Sequence, residues 1–451
     1  MNAPAALAAK YDLRVPRYTS YPTAPHFSAA VDGRVYRTWL SELDSQQPLS
    51  LYFHIPFCDS MCWFCGCYTK IVQQYQPILD YLETLHREIG LIAQALPGRF
   101  TARHLHWGGG SPTMLKAEDW LRLVEALRQA FDIAADAELA VEVDPRDTTE
   151  EYVAALAAAG VNRVSIGVQD FDATVQAAVN RLQPFETVER VANWLRQHGI
   201  GRLNLDLMYG LPHQTVARVT AMADHAVKLT PSRVALFGYA HVPWMKSHQK
   251  LIDESALPGV DERLAQYLAA ADVLIGHGYR AIGLDHFALP GDPLAEAAAA
   301  GQLRRNFQGY TTDGAGVLIG FGASAIGSLP QGYIQNAAPL KTYRTAIAEG
   351  MLPTARGIAL DAEDRLRRAI IDSLMCALSV DLDAVCRAHG VAADRFAAEL
   401  ERLQPLAADG LVTIAGGRIT VTDEGRPFVR LAAAVFDAYL ETGAARHSRA
   451  V

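Results

Sequence analysis

Four of the six cysteines in this 451-residue chain crowd into one short stretch, HIPFCDSMCWFCGC, from His54 to Cys67. Cys58, Cys62 and Cys65 are spaced C-x3-C-x2-C, with Cys67 two residues on. Thiolates are soft ligands, and a compact loop that carries three of them can hold one iron–sulfur cube. Three ligands on four irons leave one iron open, as a cluster that does chemistry on a small molecule requires. The same cysteines suit a structural zinc, with Cys67 as fourth ligand. Zinc sites usually draw on two separated C-x2-C pairs, however, and there is no second pair here. A disulfide framework does not fit cysteines clustered in a long chain. Spacing alone favours iron–sulfur and leaves zinc open.

Short β-rich runs recur at LSLYFHI (49–55), HLHWGG (104–109), LAVEVD (139–144), RVSIGVQ (163–169), RLNLDLM (202–208) and RVALFGY (233–239). Stretches with helical periodicity separate them, which predicts βα units around a parallel sheet. Six units predict an open partial (β/α)6 barrel in an α/β chain. Ligands bind at the C-terminal strand ends of such sheets, and polar residues gather there. The cysteines follow the first run and Gly108-Gly109-Gly110-Ser111 the second. Glu142, Asp144, Gln169, Asp170 and Asp206 close the next three, and Tyr239-Ala240-His241 the sixth. A single acid at a strand end is usually a cap or turn residue; repetition on successive strands points to a shared site.

The triple glycine allows close backbone approach to a ligand or simply makes a tight turn. It is neither a P-loop nor GxGxxG, and the spacing of GFGASAIG (320–327) fits packing. His104 and His106 share a strand face, where core histidines with backbone partners are expected before a metal pair. LRRNFQGYTT (303–312) sets two arginines beside aromatic and amide groups, apt for carboxylates; otherwise it is a solvated loop.

Four segments are expected: an N-terminal arm (1–48), the barrel (49–290) with an edge strand over 279–289, a connecting and substrate-site segment (291–359), and a mainly α cap (360–451). PRYTSYPTAPHF (Pro16 to Phe27) reads as extended, or as a poorly ordered terminus. In the cap, two helices and the hairpin LVTIAGGRITVT resemble a winged helix. It shows no basic stripe, and the net charge is −8, so no nucleic-acid partner is expected. No run reaches membrane length and no secretory signal is visible, which predicts a cytoplasmic protein without membrane insertion. The absence of a coiled-coil seam favours a monomer.

The cysteine loop after the first strand of a βα array resembles the radical S-adenosylmethionine (SAM) superfamily. PRYTSYPTA, LYFHIPFC, HWGGGSPT, VEVDPR, GVQDF, NLDLMYGLP, YAHVPWMK, GLDHFA and RNFQGYTT extend the match to the oxygen-independent coproporphyrinogen III oxidase family, over nearly the whole chain. The resemblance implies decarboxylation of two propionates of coproporphyrinogen III to vinyl groups, giving protoporphyrinogen IX in haem synthesis. It implies a [4Fe–4S] cluster on Cys58, Cys62 and Cys65, and two SAM molecules cleaved to 5′-deoxyadenosyl radicals. A one-electron donor and a terminal acceptor are implied without being named. By resemblance, one SAM site comprises Tyr52, Gly109, Glu142 and Ile326, and a second Gly110, Ser111, Gln169, Arg181, Asp206 and Ala240. Ser111 replaces the usual threonine and keeps its hydroxyl. Tyr52, Glu142, Phe307 and Gln308 match positions tied to activity, and Cys67 belongs to the motif without being a ligand. Arg17, Arg304 and Arg305 are expected to anchor propionates. The rival readings are a haem-binding chaperone relative, a haem-opening radical SAM enzyme and a nucleic-acid-binding winged-helix protein.

Overall fold

The computed structural model describes residues 3–440. Residues 1–2 of the expected arm and 441–451 of the expected cap lie outside the described residues. The six strand-and-helix units are present: β1 (Leu49–Ile55), β2 (Thr101–Gly109), β3 (Asp132–Val143), β4 (Arg163–Gln169), β5 (Arg202–Tyr209) and β6 (Arg233–Gly238). Neighbours pair in parallel, for example Leu51 opposite Leu105 and Val141 opposite Val164. The predicted edge strand is a pair, β7 (Arg280–Ile282) and β8 (His286–Ala288), with β8 antiparallel to β6.

Beyond β1 the sheet continues into the segment expected to connect. There β9 (Leu318–Phe321) lies parallel to β1 and starts a meander of β10 (Ile326–Leu329), β11 (Gly332–Asn336) and β12 (Thr354–Ala359). The twelve strands run in the order β12-β11-β10-β9-β1-β2-β3-β4-β5-β6-β8-β7. GFGASAIG is therefore the turn from β9 to β10 rather than packing alone.

Successive side chains of a strand point to opposite faces, and here the faces differ sharply. On β1, Leu49, Leu51, Phe53 and Ile55 join the large apolar core under the helices. Ser50, Tyr52 and His54 alternate with them. With His106, Glu142, Ser165, Asn204 and Asp206, Ser50 lines a polar lumen of about 180 Å³. The helix after the cysteines, Gln76–Ala95, turns Ile78, Tyr81, Leu85, Ile89 and Ile92 to that core at helical spacing.

The arm is ordered, contrary to the reading of a loose terminus. It holds the helices Ala3–Lys10 and Gly33–Ser41; the Asp32 carboxylate caps the second by accepting the N–H groups of Arg34 and Val35. Tyr18 and Tyr21 are buried against cap residues, and the Tyr18 hydroxyl donates to Asp437 at 2.9 Å. The cap has a winged-helix-like order with more parts than predicted. Helices Ala362–Ala377, Leu382–Ala388 and Ala397–Ala408 accompany a sheet of Ser379–Asp381, Val412–Ala415 and Arg418–Val421. Gly416 and Gly417, at φ 55° and 78°, form its tight turn.

Candidate active site

The cysteine loop leaves the C-terminal end of β1 and is strapped down from two sides. Trp63 donates its N–H to Val179 O (2.9 Å), and Asn180 Nδ2 donates to Met61 O (2.8 Å). From the segment after β6, Lys246 Nζ bonds Cys67 O (3.0 Å), His248 Nε2 lies 2.7 Å from Cys65 O, and Gln249 Nε2 donates to Phe64 O (2.9 Å). Sequence reasoning missed this strap, because nothing in PWMKSHQK signals a contact so far along the chain.

Burial, then Cys65 and Cys62, pushes the Cys58 thiol up to about 12, so the three thiols share one electrostatic space. The Cys67 side chain donates to Cys65 and holds it near 6 against burial, and the Cys67 N–H points to Cys65 Sγ at 3.4 Å. Cys67 thus leans on a neighbouring thiol. Among the described residues no group of three or more His, Cys, Asp or Glu side chains is arranged to hold a single ion. A cube asks less than zinc does, taking one thiolate on each of three irons. The donor set fits an iron–sulfur cluster.

Arg181, expected in the second SAM site, already pairs with the Asp144 carboxylate at 2.9 Å, with Cys62 Sγ at 3.4 Å and Gly167 O at 2.6 Å. Arg146 also pairs with Asp144 (2.7 Å) and reaches Cys62 Sγ at 3.5 Å. Two guanidiniums thus converge on the Cys62 sulfur. Burial would raise Asp144, but Arg181 and Arg146 hold it below the ordinary value. Asp170 is structural: it is buried, accepting from Gln214 Nε2 (2.5 Å) and from the Asp172 N–H (2.7 Å).

Glu142 lines the lumen. Its Oε1 lies 2.9 Å from His106 Nε2, and its Oε2 accepts the Gly109 N–H at 3.2 Å. Burial opposes ionisation, but His106 first and Gly109 next keep the carboxyl below its usual range. The expectation of a backbone partner for the histidines fails: His106 meets this carboxylate, and His104 Nε2 sits 3.8 Å from Asp313. Tyr52 Oη lies 3.0 Å from His54 Nδ1, and its ring centroid 5.9 Å from that of His106. Asp206 accepts from Ser165 Oγ (2.9 Å) and Asn204 Nδ2 (2.8 Å). Burial, then the Glu142 charge, pushes it up to about 6.

The triple glycine has local causes. A Cβ on Gly108 would fall 2.5 Å from the Glu142 carboxyl, and one on Gly110 2.6 Å from Phe57 O. Gly109 adopts φ +107°, open to glycine. The N–H groups of Gly110 and Ser111 are spent on Ile55 O (2.8 Å) and Phe57 O (2.7 Å). Ser111 Oγ bonds Thr113 Oγ1. Gln169 closes β4 in the left-handed region, at φ 71°. Ala240 O accepts from Gln249 Nε2 at 3.2 Å, and Ile326 opens β10 with its carbonyl against Gly320.

RNFQGYTT is a hairpin, not a loop: Arg304–Asn306 pairs with Gly309–Thr311, leaving Phe307 and Gln308 at the tip. Gln308 lines the lumen. Phe307 lines a separate cavity of about 480 Å³, edge-on to Tyr333 at 6.0 Å. Arg304 and Arg305 both line that larger cavity, and Arg305 Nη2 donates to Arg17 O at 3.5 Å. Arg17 donates to Gly238 O at 2.7 Å, and Arg305 stacks on Tyr310 (4.4 Å) with Asp285 at 3.8 Å. Arg368 of the cap lines the same cavity.

Two family models match the chain: the radical SAM superfamily over residues 52–226 and the HemN C-terminal domain over residues 360–428. A relative from Bradyrhizobium diazoefficiens, named oxygen-independent coproporphyrinogen III oxidase, is 49% identical over 99% of this chain and 100% of its own length. One of the same name from Salmonella typhimurium is 41% identical over 96% of this chain and 95% of its own. The solved structure of coproporphyrinogen III oxidase (HemN) from Escherichia coli, described as a radical SAM enzyme, superimposes with a TM-score of 0.90 at 40% identity. It covers 95% of this chain and 100% of that one.

Proposed function

The chain belongs to the oxygen-independent coproporphyrinogen III oxidase family, and from that premise we infer what its residues do. It is a radical SAM enzyme that decarboxylates two propionates of coproporphyrinogen III to vinyl groups without oxygen, giving protoporphyrinogen IX. The observation that carries this reading is the loop of three thiols strapped to the end of a polar-lined partial barrel. Cys58, Cys62 and Cys65 hold a [4Fe–4S] cluster. When bound, the cluster and SAM supply a 5′-deoxyadenosyl radical that takes hydrogen from a propionate β-carbon.

The first SAM contacts Tyr52, Gly109, Glu142 and Ile326. Glu142, kept ionised by His106 and Gly109, offers a carboxylate to a cationic or hydroxyl group. A second SAM, one for each propionate, is served by Gly110, Ser111, Gln169, Arg181, Asp206 and Ala240. Because the Gly110 and Ser111 N–H groups are spent internally, these two residues contribute shape and carbonyl oxygens. Arg181 acts chiefly on Cys62 and Asp144. Phe307 and Gln308 meet substrate from the two sides of the hairpin tip. Arg304, Arg305 and Arg368 supply cations to the larger cavity, and Arg17 adjoins Arg305. The electron donor and acceptor are separate partners, and the enzyme works as a cytoplasmic monomer. No helix of the described residues is long and apolar enough to cross a membrane.

The test is one anaerobic assay with reconstituted protein, reductant, SAM and coproporphyrinogen III, read by mass spectrometry. Loss of two CO2 with 5′-deoxyadenosine formation, absent in Cys62→Ala, is expected. Formation of 5′-deoxyadenosine with untouched porphyrinogen would overturn the substrate.

A further inference from the structure

Glu88 is a carboxyl that the reaction does not call on. It sits on the helix Gln76–Ala95 and is only 1% exposed. Its hydrogen-bond partners are neutral. Oε2 accepts the Gly322 N–H and the Tyr343 hydroxyl, both at 2.7 Å, and Oε1 accepts from Asn336 Nδ2 at 2.7 Å. Asn336 Nδ2 also donates to Gly322 O at 3.0 Å. Burying an acid among neutral groups costs more than filling the space with hydrocarbon, so stability alone does not account for it.

What the carboxyl holds is the turn between β9 and β10. Two helical turns earlier on the same face, Tyr81 donates to His54 O (2.7 Å) and accepts the Ala323 N–H (3.0 Å). Gly322 lies at φ +94°, and a Cβ there would fall 2.3 Å from Tyr81 Oη and 2.7 Å from His54 O. One helix face thus clamps two things together. The first is the turn from Gly322 that leads into Ile326. The second is the end of β1, where the His54 ring meets Tyr52 at 3.0 Å and fills the space over Gly109. Ile326, Tyr52 and Gly109 are three of the four residues assigned above to the first SAM.

We propose that Glu88 is a positioning residue for the first SAM site, fixing through Gly322 and Asn336 the turn that delivers Ile326, beside the strand end that Tyr81 holds through His54 O. This rests on the assignment of that site under the proposed function. Glu88→Gln keeps the shape but turns an amide N–H2 toward groups that are themselves donors.

The experiment measures SAM affinity of the reconstituted holoenzyme by equilibrium dialysis, together with the change in the reduced cluster's EPR spectrum on adding SAM. Coproporphyrinogen KM, iron content and thermal midpoint are measured in parallel. Loss of a supporting contact behind a ligand site typically weakens binding by tenfold or more. Glu88→Gln is expected to bind SAM roughly tenfold more weakly, with KM for the porphyrinogen and iron content unchanged. Tyr343→Phe, which removes one donor and is the milder change for folding, should give about a threefold loss by the same reasoning.

Burial pushes Glu88 up to about 7. The titratable groups facing it are Tyr36, Tyr81 and Tyr343, all raised by burial and so neutral through this range. Wild-type SAM affinity should therefore fall as pH drops through about 7, and Glu88→Gln should be flat. A folded Glu88→Gln that binds SAM within twofold of wild type, while Glu142→Ala loses it, overturns the proposal. If Glu142→Ala also binds normally, the site assignment falls, and the proposal with it.

Discussion

Gly108→Ala tests whether the triple glycine exists for Glu142. The new methyl would stand 2.5 Å from Cδ and Oε1 and 2.6 Å from Oε2 of that carboxylate. The obstacle is the far end of a flexible side chain, so the fold yields and Glu142 swings away. It then forfeits its bonds to His106 (2.9 Å) and to the Gly109 N–H (3.2 Å). Hydrogen bonds to a charged group are worth about 1.5–3 kcal/mol each in buried settings. The Glu142 side chain is 37% exposed, so screening brings the pair together to the lower end, about 1.5 kcal/mol. At 1.4 kcal/mol per decade this is roughly a tenfold loss of SAM affinity. The same bonds are lost from the folded state, so urea unfolding should show a fall of about 1.5 kcal/mol as well. Gly110→Ala is the contrast: its methyl meets Phe57 O and Ile55 O, backbone atoms that cannot step aside. There stability should fall by roughly 1–3 kcal/mol. Equilibrium dialysis with SAM and urea unfolding on both variants measure the two effects. Unchanged SAM affinity in a folded Gly108→Ala would refute the role given to Glu142.

Other consequences follow from single contacts. Arg181→Met removes a buried partner of Asp144 and of Cys62; with Arg146 still paired, urea unfolding should show a loss near the low end of the usual range, about 3 kcal/mol. Burial and then Glu142 raise Asp206 to about 6, so the native state keeps a proton that the unfolded chain, near 3.9, has released. The wild type should therefore lose stability relative to Asp206→Asn as pH rises from about 4 to about 6, by at most roughly 3 kcal/mol and no further above. Urea midpoints across pH check this. Tyr18→Phe strips the buried Asp437 of a donor and should cost about 1–2 kcal/mol. Limited proteolysis should then cut the arm sooner.

How much was legible depended on the length of the signal. The cysteine triad and six strand-helix units stand out because spacing and period repeat over many residues. β9 is four residues long, lies among glycines and has no crossover helix of its own; only its pairing with β1 makes it a strand. The polar lumen was half visible. LSLYFHI alternates plainly, but the face that looks inward depends on the helical layer outside, and local pattern does not specify it. Glu88 was within reach: it falls with Tyr81, Leu85 and Ile92 on one stripe of an amphipathic helix, where an acid is out of place. The Lys246–Gln249 strap was not, because polar contacts across such a separation leave no periodic trace.

The hairpin Arg304–Thr311 shows why candidate residues adjacent in sequence need not share a surface. A two-residue tip turns the chain as tightly as a hairpin allows, and Gly309, at φ +124°, accommodates the return. Asn306 steadies the tip by accepting the Gln308 N–H at 3.0 Å. Phe307 and Gln308 consequently face different spaces, the aromatic cavity shared with the cap and the polar lumen shared with Glu142 and Asp206. Asn306, Thr311, Asp313 and Leu318 line both. A wall this thin, with an aromatic ring on one side and an amide on the other, separates a space lined by Arg304, Arg305, Arg368 and Asp372 from one lined by Glu138, Glu142 and Asp206 with Arg163 and Arg233.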